Sequence, residues 1–179
     1  VFRGERLVFR NLNFALPPGG AILVRGPNGA GKSTLLRALA GLTPLAAGRM
    51  TWNGEDALED LPSHAARIAW LGHLDAVKLA LTAAEHVSDP DALAALGLIS
   101  FAQLPAKFLS AGQKRRLALA RVAASGAPLW LLDEPTNGLD TVSIAMLEAL
   151  LVRHLAGGGM VIASTHTPLD LAEAVTVTL

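Results

Sequence analysis

Ala21-Ile22-Leu23-Val24 leads through Arg25 into Gly26-Pro27-Asn28-Gly29-Ala30-Gly31-Lys32-Ser33, and the stretch Lys32–Ala40 then places Leu35, Leu36 and Leu39 on one face before Gly41. The first four residues are continuously apolar, as expected of a strand buried on both faces. The next eight match G-x-x-x-x-G-K-[ST] between a strand and a helix, the setting in which that pattern has a physical meaning. Glycines let the backbone wrap around a phosphate so that successive N–H groups point inward. The following helix adds its positive N-terminal end. Lys32 supplies a mobile positive charge for the outer phosphates, and the Ser33 hydroxyl can reach Mg²⁺. A chance match in a chain of this length is of order 1%, so nucleotide binding is the expected activity.

Outward from this loop the same apolar pattern recurs. Leu129–Leu132 and Met160–Ser164 read as two more buried strands, and between them Val142–Ala156 has helical periodicity, with Ile144, Leu147, Leu151 and Leu155 on one face. Buried strands alternating with helices predict an α/β domain with a parallel central sheet. Upstream, Leu7–Phe9 and Leu12–Leu16 read as strands before the turn Pro17-Pro18-Gly19-Gly20. Gly48–Trp52 reads as a strand ending in a hairpin turn at Asn53-Gly54, and Arg67–Leu71 as a further short strand. From Leu74 to Ser125 the chain is rich in Ala and Leu and reads as mainly helical, broken near Pro90 and Pro105, a subdomain inserted into the α/β core.

Composition narrows the possibilities. The 179 residues hold 15 Lys+Arg and 15 Asp+Glu, so there is no electrostatic case for a nucleic-acid surface or a basic membrane-surface protein. With no cysteine, disulfide scaffolds, thiolate zinc sites and cysteine nucleophiles are excluded. Hydrophobic residues make up 51% of the chain, yet no run approaches the roughly 18 to 20 apolar residues that a membrane span needs. The surplus apolar surface points to a partner. The opening Val1–Arg6 is charged and carries no apolar signal segment. It does not begin with Met, so residues are expected to precede it.

Three further features carry chemistry. Leu129–Leu132 delivers Asp133 and Glu134 at a strand end, and alternation sends adjacent side chains to opposite sides, so the two carboxylates have different tasks. Asp133 suits a partner of Mg²⁺, and Glu134 suits a general base or positioner of attacking water. A lone Asp-Glu pair would be a solvated strand end; beside a phosphate loop the functional reading is preferred. Leu109-Ser110-Ala111-Gly112-Gln113 opens a helix that Ser110 can cap, whose free N-terminus can take a phosphate. Most such caps only cap, and the basic run Lys114-Arg115-Arg116 would ordinarily be a solvated face. His166 sits just past a buried strand, on the sheet edge where α/β proteins place ligands.

Taken together, this ordered set resembles the ATP-binding cassette (ABC) ATPase family over nearly the whole chain. The Walker A loop is Gly26–Ser33, the signature sequence Leu109–Gln113, Walker B Leu129–Asp133 followed by Glu134, the D-loop Asn137-Gly138-Leu139-Asp140, and the switch histidine His166. The resemblance implies a P-loop NTPase of the ABC ATPase fold, with a parallel core sheet, an N-terminal antiparallel β subdomain and an inserted helical subdomain. Residues 1–179 would form one nucleotide-binding domain, with the signature in the helical part at about 74–125. It implies ATP and Mg²⁺ as cofactors, nucleotide contacts through Gly26, Pro27, Asn28, Gly29, Ala30, Gly31, Lys32, Ser33 and Thr34, and metal contacts through Ser33 and Asp133. Catalysis would fall to Glu134, His166 and Lys32. It implies a homodimer sandwiching two ATP molecules, in which Ser110, Ala111, Gly112 and Gln113 act on the partner's ATP and Asp140 couples the two sites.

Two positions depart from the family pattern. His73, in Trp70-Leu71-Gly72-His73, stands where the family has a glutamine that touches Mg²⁺ and senses the membrane partner; a plain surface-loop residue is the alternative. Adenine stacking falls to Phe2, with Arg3 the competing alignment, because the chain has no tyrosine. Leu71-Gly72-His73 with Lys78, the Thr51–Gly54 turn, Phe108–Arg121 and Gly157–Leu169 resemble the haem-exporter ATPases of cytochrome c maturation. That branch implies CcmB- and CcmC-like membrane permease subunits, a peripheral location on the cytoplasmic face of the inner membrane, and no nucleic-acid partner. An iron–sulfur scaffold type of assembly ATPase, or a ribosome-acting ABC protein, is the alternative. His64, His73, His86 and His154 have no axial-ligand context, so no haem site is expected in this subunit. His86–Asp91 is shorter than the family's helical subdomain leads one to expect.

Overall fold

The computed structural model describes residues 1–3 and 6–179, with side chains described for Val1 and for residues 8–179. The chain begins with a two-stranded antiparallel ribbon, β1 (Phe2–Arg3) and β2 (Arg6–Leu7). Then come β3 (Ala21–Arg25), α1 (Lys32–Leu39), and a second ribbon of β4 (Thr51–Trp52) and β5 (Glu55–Asp56) joined by the expected Asn53-Gly54 turn. After α2 (Leu61–Ala66) and β6 (Ile68–Leu71) the chain enters a helical stretch. It comprises α3 (Ala83–His86), α4 (Pro90–Ala95), two single 3-10 turns and α5 (Ala111–Ala123). It returns through β7 (Leu129–Asp133), α6 (Thr141–Ala156), β8 (Met160–Ser164) and β9 (Val175–Thr178).

Strands pair in the order β6-β7-β8-β3-β9, every neighbour parallel, so their carboxyl ends share one edge. The loop after β3, the acidic pair ending β7 and the histidine after β8 therefore arrive side by side. Strand periodicity divides the core. Ile22, Val24, Leu129, Leu131 and Ile162 face Leu35 and Leu36 of α1. Ala21, Leu23, Trp130, Leu132, Val161 and Ala163 face Leu117 and Leu119 of α5 and Leu147 and Leu151 of α6. Each fully buried Leu contributes about 1.5–3 kcal/mol by leaving water. Helices on both faces are what make these strands continuous apolar runs. Among the described residues, no helix is long and apolar enough to cross a membrane.

Several local expectations need correction. Leu12–Leu16 forms no strand, and Leu7–Phe9 reduces to β2. Asn11 has φ 54, which turns the chain out of the extended region just before the segment. Leu12, Phe14 and Leu16 still pack on the α1 side of the sheet, so their alternation reports a buried face without a hydrogen-bond ladder. The helical stretch is more fragmented than its composition suggests. A Thr82–Glu85 capping box starts α3, which lasts one turn; the expected break near Pro90 falls at residues 87–89, and Pro90 begins α4 with Asp89 as its cap. Gly48–Met50 lies outside the hairpin, and α2 and β9 carry too short a pattern to stand out in the sequence.

Candidate functional site

The carboxyl edge of the sheet opens into a cleft of about 720 Å³ lined by Asn28, Gly29, Ala30, Gly31, Lys32, Ser33 and Thr34, together with His73, Asp133, Glu134 and His166. Most of the expected nucleotide, metal and catalytic residues thus meet in one place. Gly31 explains why the loop needs glycine. It has φ 107, and a Cβ there would collide with the Val8 side chain, which also lines the cleft. Gly26 and Pro27 contribute through their backbone: Lys32 Nζ donates to the Gly26 carbonyl at 2.9 Å and the Pro27 carbonyl at 3.3 Å. The lysine, 7% exposed, is held curled into the loop that precedes it.

Lys32, Glu134 and His166 form a compact triangle. Lys32 Nζ lies 2.8 Å from His166 Nε2 and 3.9 Å from Glu134 Oε1, and His166 Nε2 lies 3.3 Å from the same carboxylate oxygen. An ammonium has only hydrogens to offer, so it donates to Nε2 in the tautomer that carries the ring proton on Nδ1, whereas a proton on Nε2 would point to Glu134 Oε1. The His166 N–H donates to Glu134 Oε2 at 3.2 Å, which ties the end of β8 to the end of β7. Glu134 itself has φ 48, a left-handed backbone costing roughly 1–2 kcal/mol for a residue with a side chain. The surroundings hold it there: its N–H donates to the Ser164 carbonyl at 3.1 Å and the Ser164 hydroxyl at 3.0 Å. This bend carries Glu134 off the strand line, so it faces the cleft beside Asp133 instead of the far side of the sheet.

Asp133 is 4% exposed and accepts from the Ser164 hydroxyl at 2.7 Å through Oδ1. Sequence reasoning missed Ser164, because a serine inside an apolar strand carries no spacing signal. It also missed Leu179, which lines the cleft beside Asn137 of the expected D-loop, and Arg115, which is 4% exposed although its basic run reads as a solvated face. The donor set of Ser33 hydroxyl and Asp133 carboxylate, both in the cleft, consists of hard oxygens and fits Mg²⁺, which takes few protein ligands and completes its shell with water and phosphate. Among the described residues there is no cluster of three His, Asp or Glu side chains able to hold a metal by itself.

The signature residues lie outside this cleft. Ser110 and Gln113 form a reciprocal capping box, the Gln113 N–H donating to Ser110 Oγ at 3.2 Å and the Ser110 N–H to Gln113 Oε1 at 2.7 Å. Ala111 opens α5, and at Gly112 a Cβ would stand 3.0 Å from the Gly138 carbonyl oxygen. That approach brings the start of α5 against the loop ending in Asp140. Asp140 caps α6, accepting from the Ser143 N–H at 2.8 Å, and hydrogen bonding from the Ser143 side chain and N–H holds its carboxyl below the usual range. The Phe2 side chain lies outside the described residues.

The sequence profile of the ABC transporter family matches residues 9–137. The chain belongs to that family and is an ATP-binding ATPase of it. Its relatives include cytochrome c biogenesis ATP-binding export proteins CcmA. That of Paramagnetospirillum magneticum is 50% identical, the match covering 96% of this chain and 87% of the relative. That of Rhodospirillum rubrum is 49% identical, over 99% of this chain and 81% of the relative. A solved ATP-binding subunit of an ABC transporter superposes with a TM-score of 0.88 at 22% identity, covering 99% of this chain and 81% of its own, and establishes the shared fold.

Proposed function

We propose that this chain is the ATP-hydrolysing subunit of an exporter for cytochrome c biogenesis, driving CcmB- and CcmC-like permease subunits from the cytoplasmic face of the inner membrane, with haem export as the process served. The observation that carries the chemistry is the triangle of Lys32, Glu134 and His166 at the phosphate loop. The similarity to CcmA proteins across nearly the whole chain supports the exporter role over a soluble assembly ATPase or a ribosome-acting protein. Residues 1–179 act as one nucleotide-binding domain, with 74–125 as the helical part that meets the membrane partner.

In this reading the N–H groups of Gly26 to Thr34 cradle the phosphates, and Lys32 turns from the loop carbonyls to their outer oxygens. Ser33 and Asp133 would hold Mg²⁺, and His73, in the glutamine position, lines the same cleft and would serve that metal site. When bound, the ion neutralises charge on the phosphate oxygens. Glu134 orients the attacking water and accepts its proton, and His166 gives a hydrogen bond to the γ-phosphate. Ser110, Ala111, Gly112 and Gln113, remote from the cleft of their own chain, serve the ATP of a second copy in a homodimer, and Asp140 links the two sites. Phe2 stacks on adenine.

A pull-down of the Glu134→Gln variant from detergent-solubilised membranes with MgATP, read by mass spectrometry, tests the assignment. Recovery of the permease subunits is the expected result. Recovery of ribosomes or soluble assembly proteins in their place overturns the exporter role.

A further inference from the structure

The guanidinium of Arg115, in the first turns of α5, has all five of its N–H donors engaged, and the acceptors fall into two groups. One group is the backbone that follows β7. Nη2 donates to the Asp133 carbonyl at 2.8 Å and to the Glu134 carbonyl at 2.7 Å, and Nε to the Pro135 carbonyl at 3.4 Å. The other is the loop after β6, where Nη1 donates to the Gly72 carbonyl at 3.0 Å and to Asp75 Oδ1 at 2.9 Å. That loop carries His73 between those two residues. The neighbouring Arg116 does none of this, its Nη1 donating to the Leu96 carbonyl at 2.8 Å on the helical side.

We propose that Arg115 is a positioning residue for ATP hydrolysis: it clamps the left-handed backbone of Glu134 and makes its placement depend on the loop 72–75. Only a planar, five-donor group can satisfy both sets of acceptors at once; an ammonium is a point charge with three donors. Buried as it is, the charge is matched by Asp75, whose side chain is 28% exposed and faces the surface. Movement of the loop therefore pulls on Asp75 and Gly72, then through one rigid group on the carbonyls either side of the Glu134 side chain. The inference rests on Glu134 as the base that handles the attacking water.

Steady-state ATP hydrolysis by the full chain, with wild type, Glu134→Gln, Arg115→Lys and Asp75→Ala measured together, tests it. Arg115→Lys is expected to lower kcat about 100-fold, since a misplaced catalytic group of roughly 1 Å has that effect, with KM for MgATP within about twofold of wild type. Asp75→Ala, at a partly exposed position that leaves the other four bonds in place, is expected to lower kcat about three- to tenfold with KM unchanged. In a Glu134→Gln background Arg115→Lys is expected to add no further loss, because both changes remove the same function. A merely structural arginine would add its loss there and would raise KM as well, and either result overturns the proposal. Should Arg115→Lys fail to fold, Asp75→Ala decides: kcat within about twofold of wild type overturns the link to the loop. Full activity of Glu134→Gln alone would overturn the assignment of the base, a failure visible without any change at Arg115.

Discussion

At the carboxyl ends of β7 and β8, polar groups are packed close and matched to one another. Asp133 and Ser164 share a 2.7 Å hydrogen bond, Glu134 sits in a left-handed backbone, and His166 contacts both Lys32 and Glu134. At the amino ends of the same two strands the closest contact is between two aromatic rings packed for fit. Trp130 stacks on His154 with ring centroids 3.8 Å apart and planes 12° from parallel, and neither Trp130 Nε1 nor His154 Nε2 has a hydrogen-bond partner among the described residues. A Cβ at Gly159 would stand only 2.3 Å from His154 Cε1 and Nε2, so the glycine there makes room for the stack. The contrast between His166 and His154 shows what separates a reactive position from a packed one. One ring is held by charged groups that a phosphate can replace; the other is held by an indole, and burial lowers its pKa.

The largest expected effect lies at the carboxyl end. Glu134→Gln should cut turnover by about 10²–10⁴-fold, the usual contribution of a positioned acid or base, while ATP affinity measured by equilibrium binding stays near wild type. At the amino end the consequences fall on stability instead. Gly159→Ala should destabilise the fold by about 1–3 kcal/mol, because the added Cβ would stand 2.3 Å from His154 Cε1 and Nε2 and the ring must leave its stack on Trp130 to make way. Thermal unfolding would register this, and unaltered ATP affinity would sharpen the division between the two ends. Ser164→Ala should fall between these classes. It removes one buried bond to Asp133 and one to Glu134, a loss of about 1–3 kcal/mol shared between stability and turnover. An effect on stability alone would break the view that Ser164 belongs to the site.

The smallest effect concerns His154. Its folded pKa lies below the unfolded value near 6.5, so the unfolded chain binds the proton first as the pH falls. The stabilisation from the neutral ring is fully present above that value and is lost progressively as the pH drops towards the folded pKa. Denaturant midpoints followed from pH 7.5 downwards should decline through this window, and His154→Phe should flatten that part of the curve. A variant curve with unchanged slope would place the pH dependence elsewhere.

How much of the fold and the site was legible in the sequence follows the same division. The buried strands β3, β7 and β8 and the loop Gly26–Ser33 could be read because continuous apolar runs and fixed glycine spacing seldom arise in any other structural setting. The triangle of Lys32, Glu134 and His166 was recoverable one residue at a time, but not as a geometry, since its members are more than a hundred residues apart in part. Arg115 could not be found. Beside Lys114 and Arg116 it has the pattern of a wet helix face, and only the fold shows that it points inward to backbone carbonyls. Leu12–Leu16 misled in the opposite direction: alternation marks which side is buried, whereas a strand also needs a neighbour to pair with. The two-residue ribbons and the edge strand β9 are short, and their hydrogen-bonding partners, not their own composition, define them.

The central claim is that each chain brings half of an ATP site, with Lys32 and Glu134 on one side and Ser110–Gln113 presented to a second copy. Sedimentation of Glu134→Gln and Lys32→Ala, each with and without MgATP, addresses it most directly. Glu134→Gln should hold ATP and shift to a dimer on its addition, and Lys32→Ala should remain monomeric in both conditions. Equal monomer populations for the two variants with MgATP would contradict the claim.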